Sequence, residues 1–243
     1  TRIAAELWHD RRILKPDSMH VNEAIDEAEA AVGGPVIIAD LTDNPGGGST
    51  CDGTHILRAM IARNVKNAAV AHIYDPDSVA RCEAAGVGQT VKLCLGGKGR
   101  PDILGYPIEC EAYVRLICDG RYKNRGPMSG GVTVDLHKSA VVMIGDIAVI
   151  VSSNVTQPHD LEIFYAHGID PCSKHILLVK STNHFKAAFN PIAMKVLNVA
   201  VPGLLPQDPL TLNYVRCRRP IYPLDDMLTY VPQPEQPVVR RQE

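Results

Sequence analysis

The sequence predicts an α/β fold: a mixed sheet with crossover helices and an inserted antiparallel β-hairpin layer. Three observations carry this expectation. Short apolar runs at 35–39, 68–74, 90–95 and 175–180 alternate with amphipathic stretches of helical period, the pattern of strands joined by crossover helices. Between 106 and 152 the pattern changes to short alternating segments, broken by Asp119-Gly120, a glycine-rich stretch near Gly126 to Gly131, and Gly145-Asp146, which are hairpin signals. A chain of 243 residues also buries on the order of 70% of its unfolded surface, enough for a substantial core.

The elements follow in order. Residues 2–14 and 18–32 read as two helices, the second capped by Asp17 or Ser18 and stopped at Gly33-Gly34. A strand at 35–39 leads through a glycine-rich loop to a helix at 53–64 and a strand at 68–74. Pro76 sits near the first turn of a short helix, Asp77 to Ala85, and a strand at 90–95 follows. The alternating segments are 106–118, 131–137, 140–144 and 147–152. Helix 159–167, strand 175–180, helix 184–190 and strand 195–200 restore the α/β character. From Pro202 the chain is proline-rich, and its end, Pro232 to Glu243, is expected to be disordered.

Composition excludes several function classes. A net charge of −2, with no basic stripe interleaved with aromatics, disfavours nucleic acid; the cluster Arg216-Cys217-Arg218-Arg219 is too short to change that. No apolar span of membrane-crossing length occurs, so no membrane partner is expected. Seven cysteines are odd in number and scattered without a Cys-x-x-Cys, which suits reduced thiols and a cytoplasmic location rather than a disulfide scaffold or zinc ribbon. Cys51 stands apart because it lies near a helix start, where a thiol pKa tends to fall; an incidental thiol remains the simpler reading. The nine histidines show no His-x-x-x-His or His-Glu-x-x-His spacing, so no complete metal site is visible.

The most informative stretch is Asp43-Asn44-Pro45-Gly46-Gly47-Gly48-Ser49-Thr50-Cys51-Asp52, between an apolar strand and an amphipathic helix. Such a loop can offer backbone amides at a helix N-terminus, where the dipole favours an anion. Gly46, Gly47 and Gly48 permit close approach of a ligand to the backbone. The plainer alternative is a turn in which Asp52 or Thr54 caps the helix. The loop lacks a Gly-Lys-Ser/Thr ending and Gly-x-Gly-x-x-Gly spacing, and Asp43 and Asp52 would repel a phosphate. A substrate carrying a carboxylate with amide or amine groups fits better.

Lys180, Ser181 and His184 follow a second apolar strand, so the ends of two strands can share one crevice with the loop. Lys180 can hold a carboxylate or pair with Asp43, and His184 can serve a developing oxyanion or accept a proton. A solvated Lys180, an edge His184 and a capping Ser181 or Asn183 are the bland alternatives. Gly96-Gly97-Lys98-Gly99 reads equally as a second anion nest or a flexible loop, and Gln157-Pro158-His159-Asp160 as a helix N-cap.

Asp43-Asn44-Pro45-Gly46-Gly47-Gly48 with Asp52-Gly53-Thr54, Ala85-Gly86-Val87-Gly88 with Leu95-Gly96-Gly97-Lys98, the run Val179 to Phe189, and Arg219-Pro220-Ile221-Tyr222-Pro223-Leu224-Asp225 occur in one order along the chain. In these blocks the sequence resembles the C-terminal domain of the microcystinase C-like (MlrC-like) metallopeptidases. Ser49-Thr50-Cys51 departs from the smaller residues expected there. The resemblance implies chains about twice this long, with the zinc ligands in an N-terminal domain. It therefore implies zinc in a full-length parent and no metal in this chain alone.

On that basis residues 1–34 are expected to be helices linking to a missing N-terminal metal-binding domain, 35–230 the α/β domain with its β-rich insertion at about 106–152, and 231–243 a disordered tail. The expected role is a substrate-positioning half of a zinc-dependent peptidase or amidohydrolase acting on small peptides. Lys180, His184 and Asp43 are its catalytic candidates, and Asn44, Gly46, Gly47, Gly48, Asp52 and Ser181 its substrate-binding ones. The missing domain and a peptide or amide substrate are the expected partners, with a homodimer possible. The alternative is a non-catalytic small-molecule or anion-binding domain using the same loop.

Overall fold

The computed structural model describes residues 2–14 and 17–225. The chain divides into two units, residues 18–206 and a second built from 1–17 and 207–243. The expected disorder of 231–243 lies outside the described residues.

In chain order the elements are α1 (Arg2–Asp10), α2 (Val21–Ala30), β1 (Val36–Asp40), α3 (His55–Ala62), β2 (Ala68–Tyr74), α4 (Pro76–Ala85), β3 (Thr90–Leu95), α5 (Pro101–Leu104), β4 (Ile108–Cys118), β5 (Arg121–Lys123), β6 (Thr133–Asp135), β7 (Ser139–Ile144), β8 (Ile147–Ser152), α6 (Glu162–Tyr165), β9 (Ile176–Val179), α7 (Lys186–Phe189) and β10 (Lys195–Val199). In the unit 18–206, eight strands form one sheet in the order β10-β1-β9-β2-β8-β7-β4-β3. The first five run parallel; β8-β7, β7-β4 and β4-β3 are antiparallel. The hairpin region thus mostly prolongs the sheet edge to edge, and only β5 and β6 form a separate small ribbon.

Parallel strands covered on both faces carry continuous apolar runs. All five residues of β1 are buried, and the alternation along it serves two cores. Val36 and Ile38 pack with Ala24, Ile25, Leu57 and Met60 of α2 and α3. Ile37 and Ala39 face Phe164, Phe185 and Phe189, whose rings meet edge to face. In the other unit, Arg11 lies over the rings of Trp8 and Tyr222.

Three expectations about helices need correction. Helix α2 is capped by His20, not Asp17 or Ser18: the His20 ring accepts from the amide of Asn22, and Glu23 reaches back to the His20 amide in a capping box. The stretches 159–167 and 184–190 shrink to α6 and α7. Asp160 accepts from the amides of Gly126 and Glu162 instead of continuing a helix, and Gly168 at φ +66° ends the turn beyond α6.

Candidate functional site

β1 and β9 are neighbours, with Ala39 opposite Val179, so the segments leaving their carboxyl ends emerge side by side. Asp40 closes the first turn: one of its oxygens accepts from the amides of Thr42 and Asp43 and from the Thr42 hydroxyl. The chain then folds around Asp43. Its Oδ1 accepts from Ser49 Oγ at 2.6 Å and the Cys51 amide at 2.9 Å, and its Oδ2 from the Gly53 amide at 2.7 Å. Lys180 completes the set, donating to Asp43 Oδ2 at 2.8 Å and to the Gly53 carbonyl at 2.8 Å, with Asp40 Oδ2 at 3.5 Å.

Burial alone would raise the Asp43 carboxyl, but the Lys180 charge and the donors around it hold it below the usual carboxylate range. Burial pulls Lys180 the other way, and Asp43 and Asp40 overcome it, keeping the ammonium charged. Asp43 and Lys180 are only 1% and 2% exposed, so the pair is a sealed foundation beneath the loop rather than part of its outer surface.

The loop amides are used in the same inward manner. Gly46 N–H donates to Asn44 Oδ1, Gly47 N–H and Ser49 N–H to the Asn44 carbonyl, and Gly48 N–H to the Pro45 carbonyl. Residues Pro45–Gly47 form a short 3-10 turn well before α3, so these amides are not the start of that helix. Asp52, read from sequence as a ligand contact, is buried and fills the second glycine loop instead. It accepts from the amides of Lys98 and Gly99 at 2.9 Å each and from Thr50 Oγ1. Gly96-Gly97-Lys98-Gly99 is therefore an anion nest whose anion is a side chain of the same chain.

What faces outward is a polar rim. Gly46, Gly47 and Gly48 are exposed, as is His184. Ser181 is buried behind them and accepts from Gln157 Nε2 at 2.9 Å. The same Nε2 lies 3.0 Å from Asn44 Oδ1, and Gln157 Oε1 lies 2.9 Å from His184 Nδ1. Asn44 Nδ2 donates to Thr182 Oγ1 at 2.9 Å, tying the two strand ends together a second time. The structure thus gathers all nine candidates at the ends of β1 and β9, with Asp43, Asp52 and Lys180 inside and His184 and the glycines outside.

Sequence reasoning missed three participants. Asp40 stands just after the strand read at 35–39 and draws no role of its own, Gln157 reads as part of a helix N-cap, and His72 as one more dispersed histidine. His72 is fully buried in β2, where it donates from Nε2 to the Thr156 carbonyl at 2.7 Å and meets Ser152 Oγ at Nδ1, 2.8 Å. Burial lowers its pKa to about 4, the hydrogen bond to Thr156 opposing. Cys51, at φ +62°, lies 3.4 Å from the same ring. Its thiol is pushed well up, by burial first and the Asp43 charge second, which reverses the depression expected from the sequence.

Among the described residues, no group of three or more His, Cys, Asp or Glu side chains converges as the ligands of a metal would. The acids nearest the site are already engaged by Lys180 and by backbone amides, so the donor set does not fit a zinc ion.

The comparisons agree with this architecture. A family model described as the MlrC C-terminus matches residues 38–216. Microcystinase C from a Sphingomonas species is 27% identical over 201 residues, which cover 83% of this chain and 38% of that protein. The crystal structure of a candidate metallopeptidase from Mesorhizobium sp. BNC1 superposes with a TM-score of 0.80 at 27% identity, over 93% of this chain and 44% of that one. The chain thus spans less than half the length of either relative. With its sheet, its loop and most of its length inside that match, the chain belongs to the MlrC C-terminus family, a peptidase-related family.

Proposed function

We propose that this chain is the substrate-positioning half of a zinc-dependent peptidase or amidohydrolase that cleaves amide bonds of small peptides. The observation that carries the reading is the outward rim, an exposed histidine and three side-chain-free residues held over a buried ion pair at the carboxyl edge of parallel strands. Of the three glycines, Gly48 has open space where a Cβ would stand, and an extended peptide can approach the backbone there, while Gln157 and Leu205 fill that space at Gly46 and Gly47. Hydrolysis needs a water to attack the carbonyl carbon and a proton to reach the departing nitrogen; His184 is the group on this rim able to hold or deliver that proton. Asp43 and Lys180 act behind the loop, fixing its shape and local field. The zinc, in this reading, belongs to the portion of the relatives that lies beyond the matched region, and that portion is the partner of this chain in a reducing, cytoplasmic setting. The inward use of the loop amides gives no support to a free anion-binding module.

The test is made on the full-length parent polypeptide. His184→Ala should lower kcat/KM for a small peptide amide by about a hundredfold or more, and an unchanged value would overturn the role. Elemental analysis should find stoichiometric zinc in the parent; zinc bound by three side chains of this chain alone would overturn the division of labour.

A further inference from the structure

We infer that Gln157 is a positioning residue that locks His184 in the Nδ1–H tautomer and so presents a bare Nε2 lone pair at the outer rim. The argument is one of donor and acceptor parity, and it starts from an atom whose role is fixed. The Gly46 amide can only donate, so the atom of Asn44 that meets it at 2.9 Å is the carbonyl oxygen, Oδ1. That oxygen also faces Gln157 at 3.0 Å, so the Gln157 atom opposite is the amide nitrogen, which donates again to Ser181 Oγ at 2.9 Å. The Gln157 oxygen is then left facing His184 Nδ1 at 2.9 Å, and two acceptors cannot meet at that distance, so Nδ1 carries the hydrogen. Among the described residues His184 has no second hydrogen bond, which leaves Nε2 unprotonated and open in the neutral ring.

The surroundings hold Gln157 for this task. The residue sits in a segment pinned on both sides, by His72 donating to the Thr156 carbonyl at 2.7 Å and by the His159 ring meeting the Gln157 carbonyl at 2.9 Å. Its side chain also presses against the loop: a Cβ on Gly46 would stand 2.4 Å from Gln157 Oε1. An alanine at 46 would thus push the Gln157 side chain out of its present position.

This inference deepens the proposed role of His184, but its readout needs no substrate. In the full 243-residue chain, ring nitrogen shifts from long-range ¹H–¹⁵N correlation should show His184 above its titration range as the Nδ1–H tautomer, the reverse of an unconstrained histidine. A dominant Nε2–H form would overturn the inference. Gln157→Leu should return His184 to the Nε2–H form, and Gly46→Ala should do the same by displacing an unchanged glutamine. Thr182→Val should keep the Nδ1–H form, because the Gly46 amide still orients Asn44. Retention of Nδ1–H in a folded Gln157→Leu chain would assign the glutamine to packing alone. If His184→Ala leaves hydrolysis by the parent unchanged while the tautomer is as inferred, the proposed function fails and this inference stands.

Discussion

The carboxylate of Asp43 and the ammonium of Lys180 meet at 2.8 Å with both groups sealed from solvent, although 137 residues separate them in sequence. A buried pair of this kind adds little over an apolar replacement of both partners, yet removal of one leaves the other charged and dry. Lys180→Met should therefore destabilise the chain by about 3–5 kcal/mol, and Lys180→Met with Asp43→Asn by clearly less than the sum of the single changes. Urea midpoints at constant m-value check both statements. Additive losses would mean that the pair does not act as a unit.

The pH dependence of stability should be set first by His72. Its pKa falls from 6.5 to about 4 on folding, so the unfolded chain takes up the proton first. Stability from the neutral ring is complete above about pH 6.5 and is lost as pH falls toward 4, in all about 3 kcal/mol. The contribution of Asp43, whose pKa is depressed, is lost only further down, below the ordinary carboxylate range. Denaturant titrations between pH 7.5 and 4.5 should show the decline, and His72→Gln should flatten it. Equal slopes in the two chains would sink this assignment.

Two glycines near the loop should differ in their tolerance of alanine. A Cβ on Gly203 would stand 2.5 Å from Thr42 Cβ and 2.6 Å from the Thr42 carbonyl oxygen, and backbone cannot easily yield. A Cβ on Gly47 would meet the tip of Leu205, which can rotate away. Gly203→Ala should cost about 1–3 kcal/mol and Gly47→Ala under about 1 kcal/mol. Thermal melts of the two variants decide the order.

Thiol reactivity gives a further check on the loop. Cys51 is fully buried with a raised pKa, whereas Cys94 and Cys172 are exposed. Native-state labelling with iodoacetamide at pH 8 should modify the latter two and spare Cys51 until the chain unfolds. Labelling of Cys51 as fast as Cys172 would show that the loop opens readily.

Much of the fold was legible because strand signals are local. The run 68–74 coincides with β2 and 90–95 with β3, each bounded by turn residues. The meeting of Asp43 with Lys180 was also readable, since each follows an apolar strand. Direction of use was not. Whether an aspartate faces a ligand or its own loop depends on which amides fold over it, and the sequence shows only that amides are near. Gln157 and His72 escaped notice for a related reason: their partners lie 113 and 84 residues away, and nothing local distinguishes them from a capping residue or a core histidine. The helix at 159–167 was overestimated because Asp160 is taken up by Gly126, a tertiary contact that periodicity does not register.

The placement of β9 between β1 and β2 has a consequence for biosynthesis. The two earlier strands are never each other's neighbours, so a slot one strand wide must stay open while about a hundred intervening residues are made. Until Ile176 to Val179 arrives, that slot presents two unpaired strand edges on apolar backbone. A ribosome-stalled or truncated product ending before β9 would carry both edges, with Asp43 lacking its counter-charge, and would be a natural client for chaperones that shield strand edges.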